Sequence, residues 1–165
     1  MMKQIIVVIF FTLSMPLKSA LQSKGLVDKS AFLNLHFYEQ KMQIEFLAYG
    51  SDFGFTVLPD NEADKKKWWD IKKMWEQELY KQVFLTDPSL VCKMHYGVLS
   101  LEKDQSKPRL LVSYSGELVC AKSLLGSKMS LAIIEKFPSL KKIKIKLSPA
   151  NTELISTKPL DQISL

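Results

Sequence analysis

Histidine and cysteine are scarce in this chain, two of each among 165 residues, and that scarcity narrows its chemistry. Neither histidine stands in a Ser/His/Asp spacing, no His-x-x-x-His pair or cysteine cluster offers a metal cage, and no glycine-rich loop reads as a phosphate cradle. The cysteines do not form Cys-x-x-Cys, the arrangement that lowers a thiol pKa for redox work. A second hydrophobic run of membrane-spanning length is also missing. These gaps point away from an enzyme and toward a protein that works by binding.

What is present begins with the amino terminus. Lys3 is followed by an uncharged run from Gln4 to Leu17 with the apolar core Ile5 to Phe11, and the small residues Ser19 and Ala20 close it. Residues 1–20 read as a secretory signal peptide, cleaved near residues 19–23. The competing reading is a membrane anchor, against which the run falls short of the roughly 20 apolar residues that a spanning helix needs. Without residues 1–20 the chain carries 21 basic and 17 acidic residues, a net charge of +4. That is too small, in an exported protein, to suggest nucleic acid as a partner. The remaining length suits one core and one domain, expected over residues 32–160 after a flexible lead-in at 21–31.

Cys92 and Cys120 bracket two apolar-rich runs, Met94 to Glu102 and Arg109 to Val119, separated by the polar segment Lys103 to Pro108. This is the pattern of a β-hairpin with a loop. Paired positions in an antiparallel hairpin have a constant sum, and a sum of 212 for the two cysteines puts the midpoint at residue 106, inside the loop. The cysteines are therefore expected opposite each other at the hairpin root, where a disulfide is geometrically feasible. Export supplies the oxidising compartment. With this loop length the bridge is worth about 3 to 4 kcal/mol in the chain-entropy description.

Elsewhere, Phe32 to Tyr38 alternates, with Leu33, Leu35 and Phe37 on one side and Asn34, His36 and Tyr38 on the other, and Met42, Ile44 and Phe46 resume the alternation. Residues 32–47 are thus a hairpin. Trp68, Ile71, Trp75 and Leu79 recur at helical spacing, which predicts a helix from Asp60 or Asn61 to about Val83, stopped at Thr86-Asp87-Pro88. A second helix is expected over Lys128 to Lys136 with Pro138 as its stop. A last hairpin follows, from Leu140 to Leu147 and back over Thr152 to Thr157. The order ββα-ββα-ββ defines an α+β fold, a mostly antiparallel sheet with two helices packed on one face.

Candidate binding residues are few. His36, on the polar side of the first strand, and His95, near the hairpin root, reach one zinc ion only if the sheet brings them together with a carboxylate. Trp69 points about 100 degrees away from Trp68 around the helix, beside Lys65, Lys66 and Lys73, and this aromatic and cationic surface suits a protein partner. The alternating Lys142, Lys144 and Lys146 read as a solvated sheet face or a guarded edge.

The strand Leu33-Asn34-Leu35, Gly54-Phe55 followed by Pro59, the long helix, Cys92 and Cys120, and Phe137-Pro138-x-Leu140-x-x-Ile143-x-Ile145 occur in an order that resembles the ZrgA-type periplasmic zinc-uptake proteins over residues 26–157. The resemblance implies a non-enzymatic periplasmic protein that assists an inner-membrane zinc importer or another envelope protein. The family's metal equipment is replaced here. Leu26-Val27-Asp28-Lys29 stands where a His-x-His-Gly segment would fall, Thr56-Val57 follows Gly54-Phe55, and the Lys103 to Pro108 loop has no histidine. Zinc binding is accordingly expected to be weak or lost. Reduction and alkylation of the secreted chain should reveal one disulfide by mass, and two alkylatable thiols in unreduced material would contradict the hairpin reading.

Overall fold

The computed structural model describes residues 23–77, 90–131, 133–158 and 160–164. The expected signal peptide lies outside the described residues, as do the expected last turns of the long helix from Leu79 to Val83 and their stop.

Period-two alternation makes the first two strands. β1 (Ser30–Phe37) and β2 (Lys41–Tyr49) pair antiparallel, and the Tyr38 amide closes their turn on the Lys41 carbonyl at 2.8 Å. A short 3-10 turn (Gly50–Phe53) then carries Phe53 and Phe55 into the core. The long helix is α1 (Glu62–Gln77). Its cap is Asn61, whose Oδ1 accepts the Asp64 amide at 2.9 Å while its Nδ2 donates to the Asp64 carboxylate at 2.8 Å. The first satisfies a first-turn amide and the second holds the Asp64 carboxylate, and Glu62 and Asp64 lie at the positive end of the dipole. Trp75 is fully buried on the inward stripe, with Trp68 and Ile71 packed beside it.

β3 (Cys92–Lys103) and β4 (Leu110–Cys120) form the central hairpin, with Cys92 directly opposite Cys120 and joined to it by a disulfide. From Cys92 to Met94 the pairing follows the expected sum. At His95 it slips by one, so that Tyr96 faces Glu117 and Lys103 faces Leu110. His95 is the extra residue of a β-bulge, and one inserted residue exchanges the two faces of the strand beyond it. Met94 packs on the core below the bulge, Leu99 and Leu101 do so above it, and Tyr96 and Val98 are exposed.

The remaining elements are β5 (Lys128–Leu131), the one-turn helix α2 (Ile133–Lys136), β6 (Lys142–Ser148), β7 (Thr152–Ser156) and β8 (Leu160–Ser164). Six strands form the main sheet in the order β3-β4-β2-β1-β6-β7, antiparallel at every junction but the parallel β1 and β6, and β5 and β8 pair separately. The architecture is α+β, and the contact between Trp75 and Phe137 brings both helical segments to the same side of the sheet. The expected ββα-ββα-ββ order is corrected. Residues 128–131 are strand rather than helix, because Lys-Met-Ser-Leu also fits period two and its partner, 160–164, lies too far along the chain for a local reading to supply.

Of the expected lead-in over 21–31, the structure describes residues 23–31: strand β1 starts at Ser30 and Leu26 is buried with Leu47, Tyr49 and Leu111 against Phe32. The Tyr49 hydroxyl donates to the Leu26 carbonyl at 3.1 Å, and Asp28 pairs with Arg109. These contacts fold the segment over one end of the sheet.

On the core face, Gly97 and Gly116 lie opposite each other and flank the tip of the Tyr114 ring. Burial pushes the Tyr114 phenol well above its ordinary pKa, with Glu76 and Tyr96 adding to the shift, so the hydroxyl is neutral and reaches the Met94 sulfur at 3.7 Å. A Cβ at Gly97 would stand 2.6 Å from that hydroxyl and 3.3 Å from the ring carbon bearing it. Gly97→Ala should therefore destabilise the fold by about 1 to 3 kcal/mol, and Tyr114→Phe should recover part of the loss in a double-mutant cycle read by denaturant unfolding. Additive effects of the two substitutions would contradict the cradle.

Candidate functional site

Alternation that buries Leu33, Leu35, Ile44 and Phe46 sends their neighbours to the opposite face, on which no described helix packs. There the register sets side chains in rows across the strands. Asn34 lies between Glu45 and Lys146, Glu45 is opposite Ser115, and His36 lies between Gln43 and Ser148. These rows line a cleft of about 270 Å³, bounded by Tyr38 past the end of β1 and by Tyr96 on β3. The His36 and Tyr38 rings are 4.6 Å apart, and the Asn34 amide donates to a Glu45 carboxylate oxygen at 3.3 Å. Tyr96 belongs to this cleft only because the bulge at His95 turned it away from the core.

The two histidines share this face without meeting. His36 is on β1 and His95 on β3, with β2 and β4 between them. At about 4.8 Å per strand their backbones are roughly 14 Å apart, whereas a zinc ion holds its imidazole nitrogens at about 2 Å. His95 instead lies with Nδ1 at 3.0 Å from the Glu117 carboxylate, which Lys41 approaches to 3.7 Å. Among the described residues, no group of three His, Cys, Asp or Glu side chains is placed to hold a metal ion.

The surface read from the helix is on the other side of the molecule. Trp69 is 63% exposed, and Lys65, Lys66 and Lys73 are exposed on the same helix, Lys65 in an ion pair with Glu62 at 3.0 Å. Lys142, Lys144 and Lys146 emerge on the uncovered sheet face, on a strand flanked by β1 and β7 and hence not at an edge. No described helix is long and apolar enough to cross a membrane.

Besides Glu117, two buried carboxylates lie outside the cleft and serve the fold. Burial pushes the Asp52 carboxyl above its ordinary range, against the opposing effect of the Lys29 amide that donates to it at 3.2 Å. For Asp104, burial acts upward too, but the Ser106 amide and hydroxyl, both at 2.8 Å, with Ser23 and Lys107 outweigh it and hold the carboxyl below its usual range. Asp104 thereby organises the loop of the central hairpin.

Reading along the chain missed the cleft as a site. Its signals were there in Asn34, His36 and Tyr38 on one side of β1 and in the Gln43 and Glu45 alternation of β2. What was lacking was the order of the strands and the bulge. Compared with known proteins, the chain matches no protein-family model and no curated protein.

Proposed function

We propose that this is an exported, non-enzymatic binding module that docks an acidic envelope protein through the exposed face of α1. The observation that carries the reading is Trp69, a large indole left 63% exposed among Lys65, Lys66 and Lys73. Tryptophan anchors are the side chains whose truncation costs most at protein interfaces, commonly about 2 kcal/mol or more. A ring of lysines around such an anchor selects for acidic partners and speeds encounter. The Cys92–Cys120 disulfide supports an oxidising compartment. The resemblance to ZrgA-type proteins supports the periplasm and makes an inner-membrane zinc importer one candidate partner.

A second reading keeps the metal role in weakened form. It rests on His36 and His95 both emerging on the uncovered face, where each is able to hold zinc singly and weakly with a neighbouring oxygen or water.

One set of measurements separates the two. Titration calorimetry of the signal-free chain with zinc should give no micromolar binding, and Trp69→Ala should weaken binding of a copurified envelope partner by about tenfold or more without lowering the unfolding temperature. Micromolar zinc affinity abolished by His36→Ala with His95→Ala would transfer the function to the metal. A partner bound equally by Trp69→Ala would exclude the helix face.

A further inference from the structure

We propose that the cleft on the uncovered sheet face is a second, independent site, which takes a small uncharged hydroxyl-rich ligand of the mono- or disaccharide class. Four features of the cleft carry the inference.

The first is size. About 270 Å³ lies just under the roughly 300 to 1,000 Å³ of ordinary small-molecule sites, so the occupant is small. The second is the kind of polarity. The floor offers the Asn34 amide, the Glu45 carboxylate, Gln43 and the hydroxyls of Ser115 and Ser148, donors and acceptors interleaved at cross-strand spacing. A ligand matching such a floor must itself both donate and accept at several neighbouring positions, as vicinal hydroxyl groups do. The third is the pair of tyrosines. Tyr38 and Tyr96 are 48% and 40% exposed, and present aromatic surface at two sides of the polar floor. The apolar face of a pyranose packs against such rings while its hydroxyls reach the floor.

The fourth feature is charge, which removes the competing ligands. The cleft holds one carboxylate, Glu45, and one ammonium, Lys146, so no net field favours a phosphate or a polyanion. Those two residues are on β2 and β6, with β1 between them, roughly 9 to 10 Å apart at the backbone. The uncharged Asn34 stands between them, so the middle of the floor carries no charge. A metal ion is unsuited to a site where Glu45 and His36 are the only groups of metal-binding type.

Placement on strands adds rigidity. Asn34, Gln43, Glu45 and Ser115 are each held by main-chain pairing on both sides and Ser148 on one, so little order is lost on binding. The site is independent of α1, which lies across the core from it.

The test uses the disulfide-bonded mature chain, ¹⁵N-labelled, with methyl β-glucopyranoside, cellobiose, maltose and N,N′-diacetylchitobiose as separate probes. At least one should shift the amide resonances of Asn34, Gln43, Ser115 and Ser148 in a saturable manner. Tyr96→Ala and Asn34→Ala should each weaken that binding by about tenfold. Val57→Ser, in the exposed loop before α1, should leave it within about twofold, and Tyr96→Phe, which keeps the ring, should bind more tightly than Tyr96→Ala. The unchanged spectrum of each variant away from the substitution verifies folding. The proposal is overturned by an absence of shifts with all four sugars, by shifts mapping to α1, or by binding indifferent to Tyr96→Ala.

Discussion

The indole of Trp75 is the contact through which the layers of this protein hold together. Its ring lies 4.7 Å from Phe46 on β2, 5.3 Å from Tyr114 on β4, 5.4 Å from Phe137 after α2 and 6.1 Å from Phe53 in the 3-10 turn. One side chain thus joins the long helix, two central strands, the 3-10 turn and the segment after α2. Among the described residues its Nε1 is buried without a hydrogen-bond partner, an arrangement that costs about 1 to 3 kcal/mol. The aromatic area gained around the ring, with tilted and edge contacts on four sides, has to exceed that cost.

Sealing one face decides what the other can do. With both helical segments gathered around Trp75, the reverse of the sheet is left to polar residues, a few exposed apolar ones such as Val98, and the short cover of Ser23 to Lys29. The outer edge at β3 is also managed from α1. Glu76 accepts the Leu99 amide at 3.0 Å and Lys72 donates to the Leu99 carbonyl at 3.3 Å, while Lys72 and Glu76 are themselves 3.3 Å apart. This ion pair occupies the donor and the acceptor that an added strand would use at that residue. At the root of the same hairpin the disulfide fixes β3 to β4 below the bulge. The strand that presents Tyr96 to the cleft is thus held on both sides of the point where its faces exchange.

Much of the fold was legible from local pattern. Alternation in Leu33, Leu35 and Phe37, the helical spacing of Trp68, Ile71 and Trp75, and the pairing arithmetic of Cys92 and Cys120 each depend on residues close in sequence or on a single turn. What escaped depended on distant partners. The strand at 128–131 needs 160–164 to pair with, and the parallel neighbour of β1 is more than a hundred residues downstream. The bulge left a trace, since the core residues of β3 change from even Met94 to odd Leu99 and Leu101, but a constant pairing sum carried past the hairpin root conceals it. The cleft inherits both difficulties. It requires β1, β2, β4 and β6 to lie side by side and Tyr96 to be turned outward, so its residues look individually like ordinary polar positions on half-buried strands.

The two proposed binding surfaces, on opposite sides of one core, follow from the same arrangement: α1 buries Trp75 and leaves Trp69 in solvent, and the sheet buries one row of each strand and leaves the next. The most direct measurement is acrylamide quenching of a Trp68→Phe, Trp69→Phe chain, in which Trp75 is the sole tryptophan. The expected result is blue-shifted emission that resists quenching until the whole protein unfolds. Emission near that of free indole, quenched freely in native buffer, would mean that the helix does not seal the sheet, and the division into a closed and an open face would fail with it.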